Sequence, residues 1–302
     1  MNKKLFVWLQ VIVAATLVGV VTGNLIQSFP KNDKKAKYIF LFIGDGMGFS
    51  QLSAAESYLS YKHGKAGGEQ LLMTSFPAMG MATTNSANRQ VTGSAASGTA
   101  IACGQKTNNG MVGMNADSVA ISSIAYDLQA DGYRIGIVTS VPLNHATPVG
   151  FYAHNINRAN EYEMGLEIPE SGFDFFAGAG FLDYKGKNGD KEPIERYLEN
   201  NGYTVSYGIE EFRKESAGKE KVIFCQASNR EESADNYVSD VVVEADATMA
   251  QMLELGLDYL GDKDPFFFMC EGGAIDWAAH DNKTMPMIEN TLDFDDAIKV
   301  HF

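Results

Sequence analysis

The feature that most constrains this chain is a set of short, almost unbroken apolar runs, each followed at once by polar or charged residues. The clearest are Tyr38 to Ile43, Arg134 to Thr139, Lys221 to Cys225 and Pro265 to Cys270. A strand with one wet face alternates apolar and polar residues, so unbroken runs predict strands buried on both faces of a parallel sheet. Helix-like stretches separate them, notably Val119 to Ala130 and Val241 to Leu260. That alternation predicts an α/β fold, a three-layer αβα sandwich around a mainly parallel central sheet. With 45% apolar residues among 302, the chain can fill such a core, which excludes a disordered polymer. No internal repeat is present, and the polar stretch from Lys185 to Gly218 reads as a surface excursion rather than a second domain.

The first residues carry Lys3 and Lys4, then an apolar stretch from Leu5 to Val21 that ends on small residues at Val21-Thr22-Gly23. This is the layout of an export signal over residues 1–23, with an uncleaved N-terminal anchor as the rival reading. A polar linker over 24–37 leads into the folded domain, expected over 38–302. Periplasmic or extracellular residence follows, with no stable membrane partner unless the leader is retained. The net charge of −14 argues against a nucleic-acid partner. An acidic chain that handles an anion needs local positive charge, which bound divalent metals can supply. Cys103, Cys225 and Cys270 form no CxxC or Cys/His zinc pattern. Cys225 and Cys270 sit within apolar runs and read as small core residues.

In open parallel sheets, function gathers at the carboxyl ends of the strands. After the first strand comes Gly44-Asp45-Gly46-Met47-Gly48, where glycines let the backbone approach a ligand and Asp45 offers hard oxygen donors. A plain turn with a helix cap is the competing reading. Ser94 sits among small residues in Val91-Thr92-Gly93-Ser94-Ala95-Ala96-Ser97-Gly98-Thr99-Ala100. At a helix start its oxygen would lie near backbone N–H groups that favour an incoming phosphate or a developing alkoxide. No GxSxG elbow or SxxK pair accompanies it, leaving a metal as activator. Beyond the strand ending at Thr139-Ser140 come Asn144-His145-Ala146-Thr147-Pro148, then His154 and Arg158. Arginine suits phosphate recognition through paired hydrogen bonds, although a surface ion pair is the simpler reading of Arg158 alone. The strongest local signal is Glu271-Gly272-Gly273-Ala274-Ile275-Asp276-Trp277-Ala278-Ala279-His280. Asp276 and His280, four apart, point the same way on a helical turn and can bind one metal, with Glu271 facing a neighbouring ion.

Taken in this order, the four segments resemble the alkaline phosphatase family from about Tyr38 to Asp296. The resemblance implies hydrolysis of small phosphate monoesters through a phosphoserine formed on Ser94, with two Zn2+, one Mg2+ and a homodimer. It implies that Asp45 bridges a zinc and the magnesium, that Thr147 and Glu271 are magnesium ligands, and that Asp276 and His280 bind one zinc. Arg158 matches the arginine that grips the substrate phosphate. His145 matches a position near the magnesium that is Asp or His in different members, acting through water or on the choice of metal. Two departures stand out. Gly93 replaces the Asp that usually precedes the nucleophile, so Arg158 is expected to be held less firmly. The family's further zinc ligands, an Asp-His pair in a Thr-Ala-Asp-His-Glu stretch and a later His, have no counterpart before the end at Val300-His301-Phe302. The expectation is a catalytic domain lacking its C-terminal strands, marginally stable and a poor phosphatase. The alternative function is then a truncated remnant that binds metal or phosphate without efficient turnover.

Overall fold

The computed structural model describes residues 35–230 and 245–300. The expected signal, most of the linker, the first residues of the Val241 to Leu260 helix, and His301 lie outside the described residues. Six strands form one parallel sheet in the order β1-β6-β2-β3-β5-β4. They are β1 (Tyr38–Gly44), β2 (Arg134–Thr139), β3 (Phe175–Gly178), β4 (Thr204–Tyr207), β5 (Val222–Cys225) and β6 (Phe266–Gly272). β6 lies between β1 and β2 and is buried along its whole length.

Successive side chains of a strand leave on opposite faces, so each apolar run supplies two cores. From β6, Phe267 and Met269 enter one cluster and Phe266, Phe268 and Cys270 the other. The first cluster is roofed by α2 (Ser94–Cys103), α3 (Ile124–Ala130), α4 (Val149–Tyr152), α5 (Glu161–Gly165), α6 (Ile168–Ser171) and α7 (Ile194–Asn200). The opposite face is covered by α8 (Ile209–Glu215), α9 (Met249–Leu260) and α11 (Thr284–Lys299). α1 (Phe49–Lys62) follows β1, and α10 (Ala274–His280) follows β6. The three-layer αβα sandwich is therefore present. Cys225 and Cys270 are free and buried.

Three expectations need correction. The polar excursion from Lys185 to Gly218 contributes α7, β4 and α8, and β4 pairs with β5 as an edge of the main sheet. The helix expected from Val119 begins only at Ile124. Ala120 instead bridges Met114 in antiparallel fashion, and Ser118 takes a positive φ. α9 likewise starts at Met249, where Thr248 caps it by accepting from the Gln251 N–H.

α9 and α11 share a half-buried acid. Asp293 of α11 accepts from the Met249 N–H at 3.1 Å, and burial, aided by the Asp296 charge, pushes its carboxyl up to about 6. A carboxyl raised on folding holds its proton in the folded state where the unfolded chain has lost it. Stability therefore falls as pH rises from about 4 to about 6, then stays lower. Asp293→Asn should raise the unfolding temperature at pH 8, with the difference from the parent closing towards pH 4. Calorimetric melts across that range check it.

Candidate active site

The carboxyl ends of β1, β6 and β2 come together in register, with Ile43 beside Glu271 and Glu271 beside Thr139. Asp45 follows β1 on a turn whose next residue, Gly46, has φ of +60°. A side chain there would be strained, since a Cβ would run into an Asp276 carboxylate oxygen and stand 2.9 Å from the Asp276 Cβ. That close approach brings Asp276, on α10, against Asp45. Glu271 is fully buried, and its Oε2 accepts from the Thr139 hydroxyl. On the other side of the cleft, Gly93 caps α2 and Ser94 is its first residue. Two glycines let α2 touch the segment before and within α4. A Cβ at Gly98 would meet Thr147 Cα at 3.1 Å, and one at Gly150 would meet the Gly98 backbone at 3.2 Å. Ser94 and Thr147 are thereby fixed relative to one another.

A cavity of about 790 Å³ is lined by Asp45, Ser94, His145, Thr147, Arg158, Asp276 and His280, with Gly93 and Trp277 on the same wall. Of the eight site residues expected, only Glu271 is off this lining. It lies beneath, with one donor atom each of Asp45, His145 and Glu271 within 4.8 Å of one another. Asp276 and His280 come together as expected, 3.5 Å apart, but the His280 side chain is largely exposed. Two residues were not singled out from sequence. Thr139 braces Glu271, and Trp277 packs its ring edge-to-face on His145 at 5.4 Å. Strand register could have pointed to the first; only the folded chain brings the second to His145. His154, noted in the same stretch, instead pairs with Glu167.

The electrostatics are unusual for protein alone. Burial raises the Asp45 carboxyl and Asp276 adds to the effect, while a hydrogen bond from Ser94 and the Arg158 charge oppose it. Burial pushes Glu271 up to about 8, with the Asp45 and Asp276 charges adding, against hydrogen bonds from Thr139 and Thr147. His145 is pushed down to about 3, first by burial and then by Arg158. Among the described residues, Asp45 Oδ2, Glu271 Oε1 and His145 Nδ1 are buried without a hydrogen-bond partner. Buried acids crowded together with unpaired oxygens are costly as they stand and suit a divalent cation.

Fold and site together define an α/β protein whose cleft lies at the carboxyl ends of a parallel sheet and is built around a serine and cation-seeking acids. The alkaline phosphatase family model matches residues 36–178 and 228–302. The chain belongs to the alkaline phosphatase family. It is 28% identical over 310 residues to alkaline phosphatase 4 of Bacillus subtilis, covering 95% of this chain and 63% of that protein. It is 30% identical over 320 residues to the alkaline phosphatase of Gadus morhua, covering 88% of this chain and 65% of that protein. The solved alkaline phosphatase of the Antarctic bacterium TAB5 superposes with a TM-score of 0.71 at 34% identity, covering 89% of this chain and 74% of that one.

A cation that binds the folded chain alone stabilises it by mass action. Mg2+ or Zn2+ at a hundred times its Kd should add about 2.7 kcal/mol, read as a rise in unfolding temperature that EDTA reverses. Asp45→Asn should cancel most of that rise, and a rise left intact in this variant would remove Asp45 from the ligand set.

Proposed function

We propose that the chain hydrolyses phosphate monoesters through a phosphoserine on Ser94. The observation that carries this is the Ser94 hydroxyl at the opening of α2, hydrogen-bonded to half-buried Asp45 and facing the same cavity as Arg158. Asp45, Asp276 and His280 would hold one Zn2+, and Asp45, Thr147 and Glu271 an Mg2+, as the family resemblance implies. A second Zn2+ belongs to the same pattern. Bound there, these cations supply the positive charge that offsets the acids and favours the ionised form of the serine oxygen.

The chain's own groups do the rest. Ser94 Oγ attacks phosphorus, the ester oxygen departs with the bonding pair, and water later cleaves the phosphoserine to restore the hydroxyl. The Asp45 contact aims Ser94 Oγ, and the backbone N–H groups at the start of α2 favour negative charge beside it. Arg158 grips two non-bridging oxygens of the phosphate by its planar fork. A second reading keeps metal or phosphate binding without efficient turnover. The exposed His280, paired only with Asp276 among the ion pairs of the described residues, favours it. Export of the protein, to the periplasm or beyond, remains our reading of the Lys3–Lys4 and Leu5 to Val21 pattern.

With Zn2+ and Mg2+ present, the chain should hydrolyse p-nitrophenyl phosphate and lose that activity to EDTA and to Ser94→Ala. Arg158→Ala should cost on the order of 10²-fold or more in kcat/KM. Mass spectrometry after acid quench should find phosphate on Ser94. Labelled Ser94 with negligible turnover would select the second reading. Metal-dependent hydrolysis undiminished in Ser94→Ala would sink the first.

A further inference from the structure

Ser94 is the first residue of α2, and helix ends fray, so what holds the chain just ahead of it decides where its hydroxyl points. The residue at the cap is Gly93, which has no side chain to bond the open N–H groups of the first turn and has the freest backbone of any residue type. Its carbonyl is tied inside the helix, accepting from the Ser97 N–H and the Ser97 hydroxyl, each at 3.1 Å. Its N–H is tied from a distant part of the chain. Asn109 Oδ1 accepts from the Gly93 N–H at 3.2 Å, and Asn109 Nδ2 donates to the Val91 carbonyl at 3.0 Å.

Asn109 reaches this place because α2 ends at Gly104 in left-handed backbone, φ +69°, and the following chain comes back to the start of the helix. There it is fastened to the segment that leads into Ser94. Lys106 Nζ donates to the Asn85 carbonyl at 2.6 Å and to Asn85 Oδ1 at 2.8 Å. The Ala87 N–H donates to the Thr107 carbonyl at 2.8 Å, and the Asn109 N–H donates to Asn88 Oδ1 at 2.9 Å. The side-chain amide of Asn109 is therefore presented by a backbone already held in place. Asn109 is exposed, so its two side-chain bonds replace bonds to water and add little to overall stability. Their effect falls on the alignment of the residue that follows Gly93.

We propose that Asn109 is the positioning residue for Ser94: its side-chain amide supplies the brace that a glycine cap lacks and sets the angle at which α2 begins. The effect on hydrolysis rests on the phosphoserine reading above; the geometry does not.

Two measurements on the full chain test this separately. With nitrogen-15 glycine in NMR, the Gly93 amide proton should exchange about tenfold faster in Asn109→Ala than in the parent, with Gly150 unchanged. Asn109→Asp keeps an acceptor and should retain the parent's protection. Unaltered exchange at Gly93 in Asn109→Ala would overturn the proposal. With Zn2+ and Mg2+ bound, rapid acid quench of p-nitrophenyl phosphate reactions should show phosphoserine forming about tenfold more slowly in Asn109→Ala. The affinity for inorganic phosphate should stay within about twofold, because aim and not binding is disturbed. Asn109→Asp should recover most of the rate. An undiminished rate in Asn109→Ala, or an equal loss in Asn109→Asp, would also overturn it. So would a fall in phosphate affinity that matches the fall in rate. A parent with a protected Gly93 amide that forms no phosphoserine would refute the phosphatase reading alone.

Discussion

The constraint on which this structure turns is the burial of carboxylates at the ends of a parallel sheet. Glu271 leaves the most protected strand, fully enclosed, with Asp45 at the end of the neighbouring strand and Asp276 one turn further on. Burial raises the proton affinity of Asp45 and Glu271, and the neighbouring acid charges add to it, while among the described residues no lysine lines their cavity. Desolvating such a cluster is among the most expensive things a fold can do unless opposite charge is supplied. The arrangement is rational only as half of a site whose other half is cationic. Thr139 and Thr147 soften the cost at Glu271 through hydrogen bonds but leave one oxygen unpartnered.

Small residues make the opposite wall possible. Ser94 is useful only if its helix can lie against the Thr147 segment, and Gly98 and Gly150 remove the Cβ atoms that would hold the two apart. The run of Ala, Ser and Gly through α2 is thus a packing requirement as much as a chemical signature. Gly46 does the same for the acids, since its positive φ and bare Cα admit Asp276.

Much of this was legible in the residues. Phe266 to Cys270 could only be a central strand, and so Glu271 could only be a strand-end acid. Asp45, Asp276 and His280 were readable from local spacing because a turn and one helical repeat bring them to the site. What was not legible depended on distant partners. Phe175–Gly178 is four residues long with a glycine at its end, and Thr204–Tyr207 sits in a polar run, so neither announces itself before β5 pairs with both. The expected helix from Val119 yielded to a local bridge between Met114 and Ala120. The bracing of Glu271 by Thr139 needed the register of β2 against β6.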